Sequence, residues 1–119
     1  MIQTAFLAAL LAAGTPGAAA APAPQISAEG QAALRCSAAF ALVSYGQAHG
    51  EESMLQWPDL DPRGREFFVR TMAQLIDETG LDRDQVAELA SKEAQRLLDQ
   101  NEVDKVMPSC LAMLDASGI

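Results

Sequence analysis

Apolar side chains recur at intervals of three and four residues through most of the chain beyond residue 27, which is the spacing of one helix face. Four such stretches are separated by glycine, proline or polar residues. They predict helices over approximately residues 28–49, 62–79, 83–100 and 105–116. The strict alternation typical of a strand is not found, nor is an internal repeat. The pattern therefore predicts an all-α fold, a small bundle of about four helices with an irregular segment at 50–61.

The first predicted helix is apolar on most of its surface, and Arg35 is its one formal charge between Glu29 and His49. A helix of this kind usually lies at the centre of its domain. Ser27 is a suitable N-cap, because its side-chain oxygen can accept a hydrogen bond from an N–H of the first turn. Gly50 is a natural stop, because glycine tolerates the left-handed conformation that ends many helices.

Asp61 and Pro62 predict the start of the second helix. The aspartate is expected at the N-cap and the proline at the first helical position, where no hydrogen bond is lost. Gly80 predicts the end of this helix. Its apolar residues form a stripe that is expected to face the core, with Phe67 and Val69 at the margins. The stripe consists of Phe68, Met72, Leu75 and Ile76.

Asp82 and Gln85 have the spacing of a capping box, and they predict the start of the third helix. Pro108 restricts the fourth helix, because proline costs about 3 kcal/mol in a helix interior and is tolerated in the first turn. The fourth helix is therefore expected to begin between residues 104 and 107, after a break at 101–103.

The beginning of the chain differs in composition from the rest. Residues 2–13 are apolar and uncharged, residues 14–17 interrupt them with glycine and proline, and alanines follow. This is the order of a cleavable signal peptide, with cleavage expected after Ala20, and after Ala21 or Ala23 as alternatives. The segment lacks the basic residue usual at the start of such a peptide. The alternative, a membrane anchor, needs roughly 20 apolar residues without interruption.

The leader divides the chain into a signal peptide at 1–20, a linker at 21–27 and a single helical domain at 28–119. We therefore expect a periplasmic or secreted protein with no stable membrane insertion after cleavage. The alanine-rich leader and the preference for arginine over lysine are typical of a GC-rich bacterial genome, and a Gram-negative source is expected.

Cys36 and Cys110 fall on the apolar faces of the first and last predicted helices. An even number of cysteines in an exported chain indicates a disulfide, because the destination is oxidising. In the chain-entropy model, closing a ring of about 75 residues stabilises the fold by at most about 4.5 kcal/mol. Two buried free thiols are the alternative. A catalytic thiol is disfavoured, because the one histidine, His49, lies far from both cysteines in the sequence.

Sixteen acidic and eight basic residues give a net charge of −8. This charge disfavours binding to nucleic acid or to anionic lipid, since both require a basic surface. The histidine and the two separated cysteines do not form a zinc pattern, and no calcium loop, phosphate loop or dinucleotide fingerprint is found. We therefore expect no metal, no cofactor, no catalytic residue and no enzymatic activity.

Met54, Leu55, Trp57 and Leu60 are too apolar for a solvated loop. Trp57 precedes Pro58, a position at which helical backbone is disfavoured, so the indole is expected on a loop or a short turn. One interpretation is a lid on the helical core. The other is a partner-binding patch, because tryptophan is enriched at interaction hot spots.

Three of the eight basic residues, Arg63, Arg65 and Arg70, are concentrated at the start of the second helix. They either neutralise the acidic residues of the preceding segment or form, beside Trp57, a patch for an anion or an acidic partner. The candidate partner-binding residues are therefore Trp57 and the three arginines.

Three hypotheses of function remain. The first is a non-enzymatic exported protein that binds another envelope protein or a small ligand. The second is a chaperone, because a small exported helical domain with one long-range disulfide resembles, in plan, the periplasmic acid-stress chaperones of enteric bacteria. The chain shares no motif with them, but its sixteen carboxylates give scope for a pH response. The third, a small hydrolase that uses Asp and Glu alone, is disfavoured. The oligomeric state stays open.

Overall fold

The computed structural model describes residues 25–119, and every regular element in that range is a helix. The all-α class predicted from the sequence is confirmed. The predicted signal peptide at 1–20, its cleavage sites and most of the linker lie outside the described residues. The helices are α1 (Ala28–Ala48), α2 (Glu52–Leu55), α3 (Arg63–Thr79), α4 (Arg83–Asp99) and α5 (Val103–Ala116).

Four of these helices correspond to the four predicted ones, with ends that differ by no more than two residues. The additional helix, α2, forms a single turn inside the segment predicted as irregular, 50–61. Four residues are too few for a helical period to appear in the sequence, so the pattern of apolar positions could not predict it.

Helix α1 lies at the centre of the bundle and contacts each of the other four described helices. Its side chains enter two apolar clusters on different sides: Cys36, Phe40 and Val43 belong to the larger cluster, and Leu34 to the smaller. This explains why the helix is apolar nearly all round. The smaller cluster is completed by Leu75, Val86 and Ala90, and the larger by Ala38, Ala39, Leu60, Phe67, Leu97, Val103, Met107, Cys110 and Leu114.

The predicted helix caps are present at two of the three helix starts for which they were proposed. The Ser27 hydroxyl accepts a hydrogen bond from the Gly30 N–H at 3.0 Å. Asp82 and Gln85 form the reciprocal capping box, with bonds of 2.8 and 3.0 Å. Gly80 ends α3 with a left-handed φ of 73°.

The start of α3 differs from the prediction. The helix begins at Arg63, and Asp61 provides no side-chain cap. The N–H of Gly64, in the first turn, instead bonds to the carbonyl oxygen of Leu60 at 2.7 Å. Because a backbone carbonyl satisfies this donor, the Asp61 carboxylate remains at the surface, 3.5 Å from the guanidinium of Arg65.

The buried face of α3 is also rotated from the predicted one. Phe67 is buried, and Phe68 is only half-buried. Gly64 packs against α1, and a Cβ on it would lie 3.4 Å from the Cβ of Phe40. This close approach of α3 to α1 brings the rings of Phe40 and Phe67 edge to face, with centroids 5.3 Å apart. The residues of α3 with least exposure are Gly64, Phe67, Thr71 and Leu75.

Helix α5 begins two residues earlier than predicted, and Pro108 therefore lies in its second turn. The chain leaves α4 through Asn101, which has a left-handed φ of 54°, so the break between the helices falls before residue 103. Pro108 is exposed, and its missing N–H costs one intrahelical bond near the start of the helix. The earlier start places Val103 and Met107 on the helix, and both are buried in the larger cluster.

The predicted disulfide between Cys36 and Cys110 is confirmed. The two Cα atoms lie 5.1 Å apart, and both side chains are buried in the larger cluster. The bond joins the central helix α1 to the last helix α5. Among the described residues, no helix combines the length and apolarity needed to span a membrane.

Candidate functional site

A groove beside Trp57 brings together α1, the segment 51–61 and the start of α3. Its volume is about 520 Å³. Apolar side chains, amides and charged groups all contribute to its wall. We call it the Trp57 groove. Its lining residues are Ser44, Gln47, Ala48, Leu55, Trp57, Asp59, Asp61 and Arg65.

Gln47 holds the backbone of this groove in place. Its side-chain amide nitrogen lies within hydrogen-bond distance of three carbonyl oxygens, those of Met54 (3.2 Å), Trp57 (3.1 Å) and Pro58 (2.9 Å). Its side-chain oxygen accepts the N–H of Leu60 at 3.2 Å. One glutamine therefore satisfies backbone groups along seven residues that have little regular structure of their own. The sequence alone does not indicate this role of Gln47, because no local spacing links the residue to its partners.

Gly46 allows the segment to approach α1. A Cβ at this position would collide with the side chain of Met54 and lie 3.0 Å from the Glu51 carboxylate. The backbone supports the same contact, because the Glu51 N–H bonds to the Gly46 carbonyl at 2.9 Å. Gly46 and Gln47 thus position the Trp57 groove from neighbouring places on α1.

The four apolar residues of the segment take different positions. Leu60 is 1% exposed and belongs to the core, as the lid interpretation expects. Leu55 is 54% exposed. Trp57 is half-buried against the larger cluster, and its indole N–H is enclosed without a hydrogen-bond partner among the described residues. The segment therefore combines a buried anchor with an apolar surface that faces the groove.

The charged part of the groove is a compact group on the segment and on α3. The carboxylate of Asp59 accepts the backbone N–H of Asp61 at 3.1 Å, and that of Asp61 lies 3.5 Å from Arg65. All three side chains are exposed. Glu51 and Glu52, also exposed, lie earlier in the same segment. Around the groove, carboxylates therefore outnumber the one arginine of its lining.

The three arginines proposed as one patch lie in two places. Arg65 lines the Trp57 groove, as expected from its neighbourhood in the sequence. Arg63 and Arg70, seven residues apart on one face of α3, both turn to the last residues of the chain. The structure therefore brings one of the three arginines to Trp57.

The other two arginines hold residues 115–119 against α3. Arg63 lies 3.0 Å from the Asp115 carboxylate and donates to the backbone oxygen of Ile119 at 3.0 Å. Arg70 donates to the backbone oxygen of Ser117 at 3.1 Å. These contacts engage both guanidinium groups within the fold.

A narrower cleft continues the Trp57 groove between α1 and α3. Its volume is about 210 Å³, and it shares Ser44 and Arg65 with the groove. Because the two share wall residues, they adjoin on one surface that is open to solvent, and we call this surface the channel. We call the narrower part the α1–α3 cleft. Its wall is formed by Phe40, Ala41, Ser44, Gly64, Arg65 and Phe68.

A second groove of about 520 Å³ lies between α1, α3 and α5. At its edge, the Glu78 carboxylate accepts the backbone N–H of Ser27 at 2.6 Å, at the N-terminus of α1. Hydrogen bonding to Ser27, through the hydroxyl and the backbone N–H, lowers the pKa of Glu78. A Cβ on Gly30 would lie 2.8 Å from this carboxylate, so a larger residue there would require the Glu78 side chain to shift.

Within residues 25–119, no three metal-ligating side chains come together as a site for an ion. His49 stacks on Tyr45 with ring centroids 4.0 Å apart, and its Nδ1 lies 2.7 Å from the Tyr45 carbonyl oxygen. The histidine is therefore engaged at the end of α1, away from the lining of the Trp57 groove.

Comparison of the chain with protein-family models, with curated proteins and with solved structures finds no match in any of the three. Family membership therefore assigns no role to any residue. The geometry of the Trp57 groove is what remains as a guide to function.

Proposed function

We propose that this protein is a non-enzymatic, exported binding protein that holds a segment of another envelope protein in the Trp57 groove. One observation carries the proposal: an exposed leucine, a half-buried tryptophan and a group of charged side chains share one channel on the surface. Tryptophan is enriched at interaction hot spots, and protein interfaces commonly have an apolar centre with a polar rim. Leu55 and Trp57 are the anchors proposed here.

The hydrogen bonds of Gln47 support this assignment. They hold the carbonyl groups of Met54, Trp57 and Pro58 in one arrangement before any partner is present. A segment that is already ordered loses less conformational entropy when a partner binds, and this raises the affinity for a given contact area. The irregular backbone at 51–61 is in this sense a prepared binding surface.

The shape of the channel favours a protein segment over a small molecule. Small-molecule sites usually enclose most of their ligand. The Trp57 groove and the α1–α3 cleft are instead adjoining open surfaces that extend from α2 to the first turns of α3. An extended or helical segment can lie along such a surface and place separate side chains in the two parts.

The proposed location rests on the disulfide between Cys36 and Cys110 and on the leader. Disulfides form and persist in oxidising compartments, of which the bacterial periplasm and the extracellular space are examples. Mass spectrometry of the exported protein would give the new N-terminus, and the expected start lies after Ala20. An intact leader on the exported protein would contradict this part of the proposal.

The proposal predicts that the Leu55→Ser/Trp57→Ala variant loses its partner. Cross-linking in an envelope extract of the source organism, followed by capture of the protein, should recover the partner about tenfold less than with the wild type. Leu98→Ser is the matched control, because Leu98 is also half-exposed, at 50%, but lies on α4 outside the channel.

Thermal unfolding followed by circular dichroism checks that both variants are folded. Capture by the Leu55→Ser/Trp57→Ala variant at the level of the wild type would contradict the proposal. An equal loss in the Leu98→Ser control would contradict it too, since the effect would then not depend on the groove.

A further inference from the structure

We infer that the segment bound in the Trp57 groove is cationic, with lysine or arginine side chains next to one apolar anchor. The inference rests on the proposed function and names the chemistry of the partner. The charge inferred for the partner is opposite to the one that the three neighbouring arginines suggest in the sequence. Two of these arginines contact residues 115–119 instead of the groove.

The charges that face the groove are mainly negative. Asp59 and Asp61 line it, and both are exposed. Arg65 is the basic residue of the lining, and its guanidinium lies 3.5 Å from Asp61. Arg65 pairs with Asp61, and Asp59 makes no ion pair within the described residues. The hydrogen bond from the Asp61 N–H to Asp59 fixes this carboxylate in position.

Further acidic residues border the same surface. Glu51 and Glu52 are exposed at the start of the segment. On the other side of α2, the amide of Gln56 lies 3.4 Å from the carboxylate of Asp104, which brings an acidic residue of α5 beside the segment. Carboxylates from the segment and from α5 thus flank the apolar anchors, and a basic partner complements this distribution.

Because salt screens distant charges, the carboxylates nearest the groove determine which partner charge is preferred. The net charge of −8 attracts any cationic partner at long range and increases the rate of encounter. At physiological salt, however, charges farther than about 8 Å are largely screened. Discrimination between partners therefore depends on Asp59, Asp61 and the acidic residues near them.

The apolar anchor of the partner has a place in the α1–α3 cleft. Ala41 and Phe68 provide apolar wall there, next to the charged group at Asp61 and Arg65. A volume of about 210 Å³ suits one large side chain rather than several. A second copy of this chain is a poor occupant, because two molecules of charge −8 repel each other and present the same carboxylates.

The test uses the intact protein and a synthetic peptide in which lysine and leucine alternate. Trp57 is the only tryptophan of the chain, so its fluorescence reports on the groove directly. We expect the lysine peptide to change the emission and to bind more weakly as NaCl rises from about 50 mM to about 500 mM. A peptide with glutamate in place of lysine should give no change.

The Asp59→Asn/Asp61→Asn variant should weaken binding of the lysine peptide by about fivefold. Asparagine keeps an oxygen that can accept the N–H between the two positions, so the segment should remain ordered. Asp84→Asn/Glu88→Gln is the matched control, because it removes the same charge from the exposed face of α4. Its binding should differ from the wild type by less than about twofold.

Three results would overturn the inference: no emission change with the lysine peptide at any salt concentration, equal weakening in the variant and its control, or equal binding of the glutamate peptide. Sedimentation of the protein alone adds a fourth, a dimer that Leu55→Ser dissociates, since a second copy would then occupy the groove.

The envelope capture separates this inference from the proposed function. If Asp59→Asn/Asp61→Asn retains a partner that Leu55→Ser/Trp57→Ala loses, the groove binds a protein, and the inference that this partner is cationic is wrong. If Leu55→Ser/Trp57→Ala also retains the partner, the proposed function itself fails.

Discussion

Gln47 shows how much of the binding surface depends on a single side chain. It lies near the end of α1, and its amide reaches backbone groups 7 to 13 residues further along the chain. Its neighbour Gly46 leaves the space into which Met54 packs. Both residues lie within the regular helical backbone of α1. Their effect is on the path of the segment that follows it.

We predict that Gln47→Leu loosens the segment while α1 remains helical. The carbonyl groups of Met54, Trp57 and Pro58 lose their donor, and stability should fall by about 1–3 kcal/mol. Hydrogen exchange measured by mass spectrometry should show faster exchange at residues 52–60, and the Trp57 emission should shift to longer wavelength.

The control is Gln95→Leu, an exposed glutamine on α4 with one side-chain partner, Asp99. It should leave exchange at 52–60 unchanged. If Gln47→Leu also leaves that exchange at the level of the wild type, the positioning role of Gln47 is wrong.

Two of the three caps that local spacing predicted are confirmed, and the cap at Asp61 is not. The Ser27 cap and the capping box of Asp82 and Gln85 depend on atoms three residues away, so their spacing alone indicates them. Gln47 depends on the path of an irregular segment, and that path is determined by packing against α1. No spacing rule contains this information, and the residue was therefore missed.

At the scale of helices, the period of the apolar residues predicted where each helix lies better than which face it buries. On α3 the buried face contains Gly64 and Thr71, and Gly64 lies close to Phe40 of α1. A stripe chosen by hydrophobicity alone favours Phe68 and Met72 instead. The preference of large apolar residues for burial is real, but close packing between helices selects for small residues as well.

The contact between Glu78 on α3 and the N-terminus of α1 makes the pairing of these helices sensitive to acid. Because Ser27 lowers the pKa of Glu78 below its usual value of 4.5, the stabilising contribution is present above about pH 4.5. It is lost as the pH falls through the lowered pKa, since the protonated acid interacts less favourably with the positive end of the α1 dipole.

Glu78→Gln should therefore unfold at a lower temperature than the wild type at pH 7, and the difference should shrink below about pH 4.5. Calorimetry between pH 7 and pH 3 measures both. Asp77→Asn, at the neighbouring exposed acid on the same helix, is the matched control and should lower the unfolding temperature at pH 7 less than Glu78→Gln does. A difference between Glu78→Gln and the wild type that is the same at pH 7 and pH 3 would contradict the assignment.

At the scale of the whole molecule, α1 separates two apolar clusters, and the disulfide lies in the larger one. The sequence predicted the class of fold, the central place of α1 and the cysteine pair, because each follows from composition or from period. It did not predict the Trp57 groove. That surface arises where three parts of the chain meet, and their relative placement depends on packing contacts distant in sequence.

Removing the disulfide should destabilise the whole domain. We predict that Cys36→Ala/Cys110→Ala lowers the free energy of unfolding by up to about 4.5 kcal/mol in the chain-entropy model. Urea denaturation monitored by circular dichroism measures this loss. Reduction of the wild type by dithiothreitol should shift the midpoint in the same direction, and an unchanged midpoint in both experiments would contradict the prediction.

The disulfide between α1 and α5 can form only after the last helix has been synthesised. A ribosome makes Cys36 74 residues before Cys110, so the thiol at the centre of the future core waits through most of the synthesis of the domain. Until α5 arrives, α1 lacks both its covalent partner and the side chains of Met107 and Leu114 that cover it. A chain that stops short of α5 would thus leave the side of α1 that faces α5 exposed, with the Cys36 thiol unpaired.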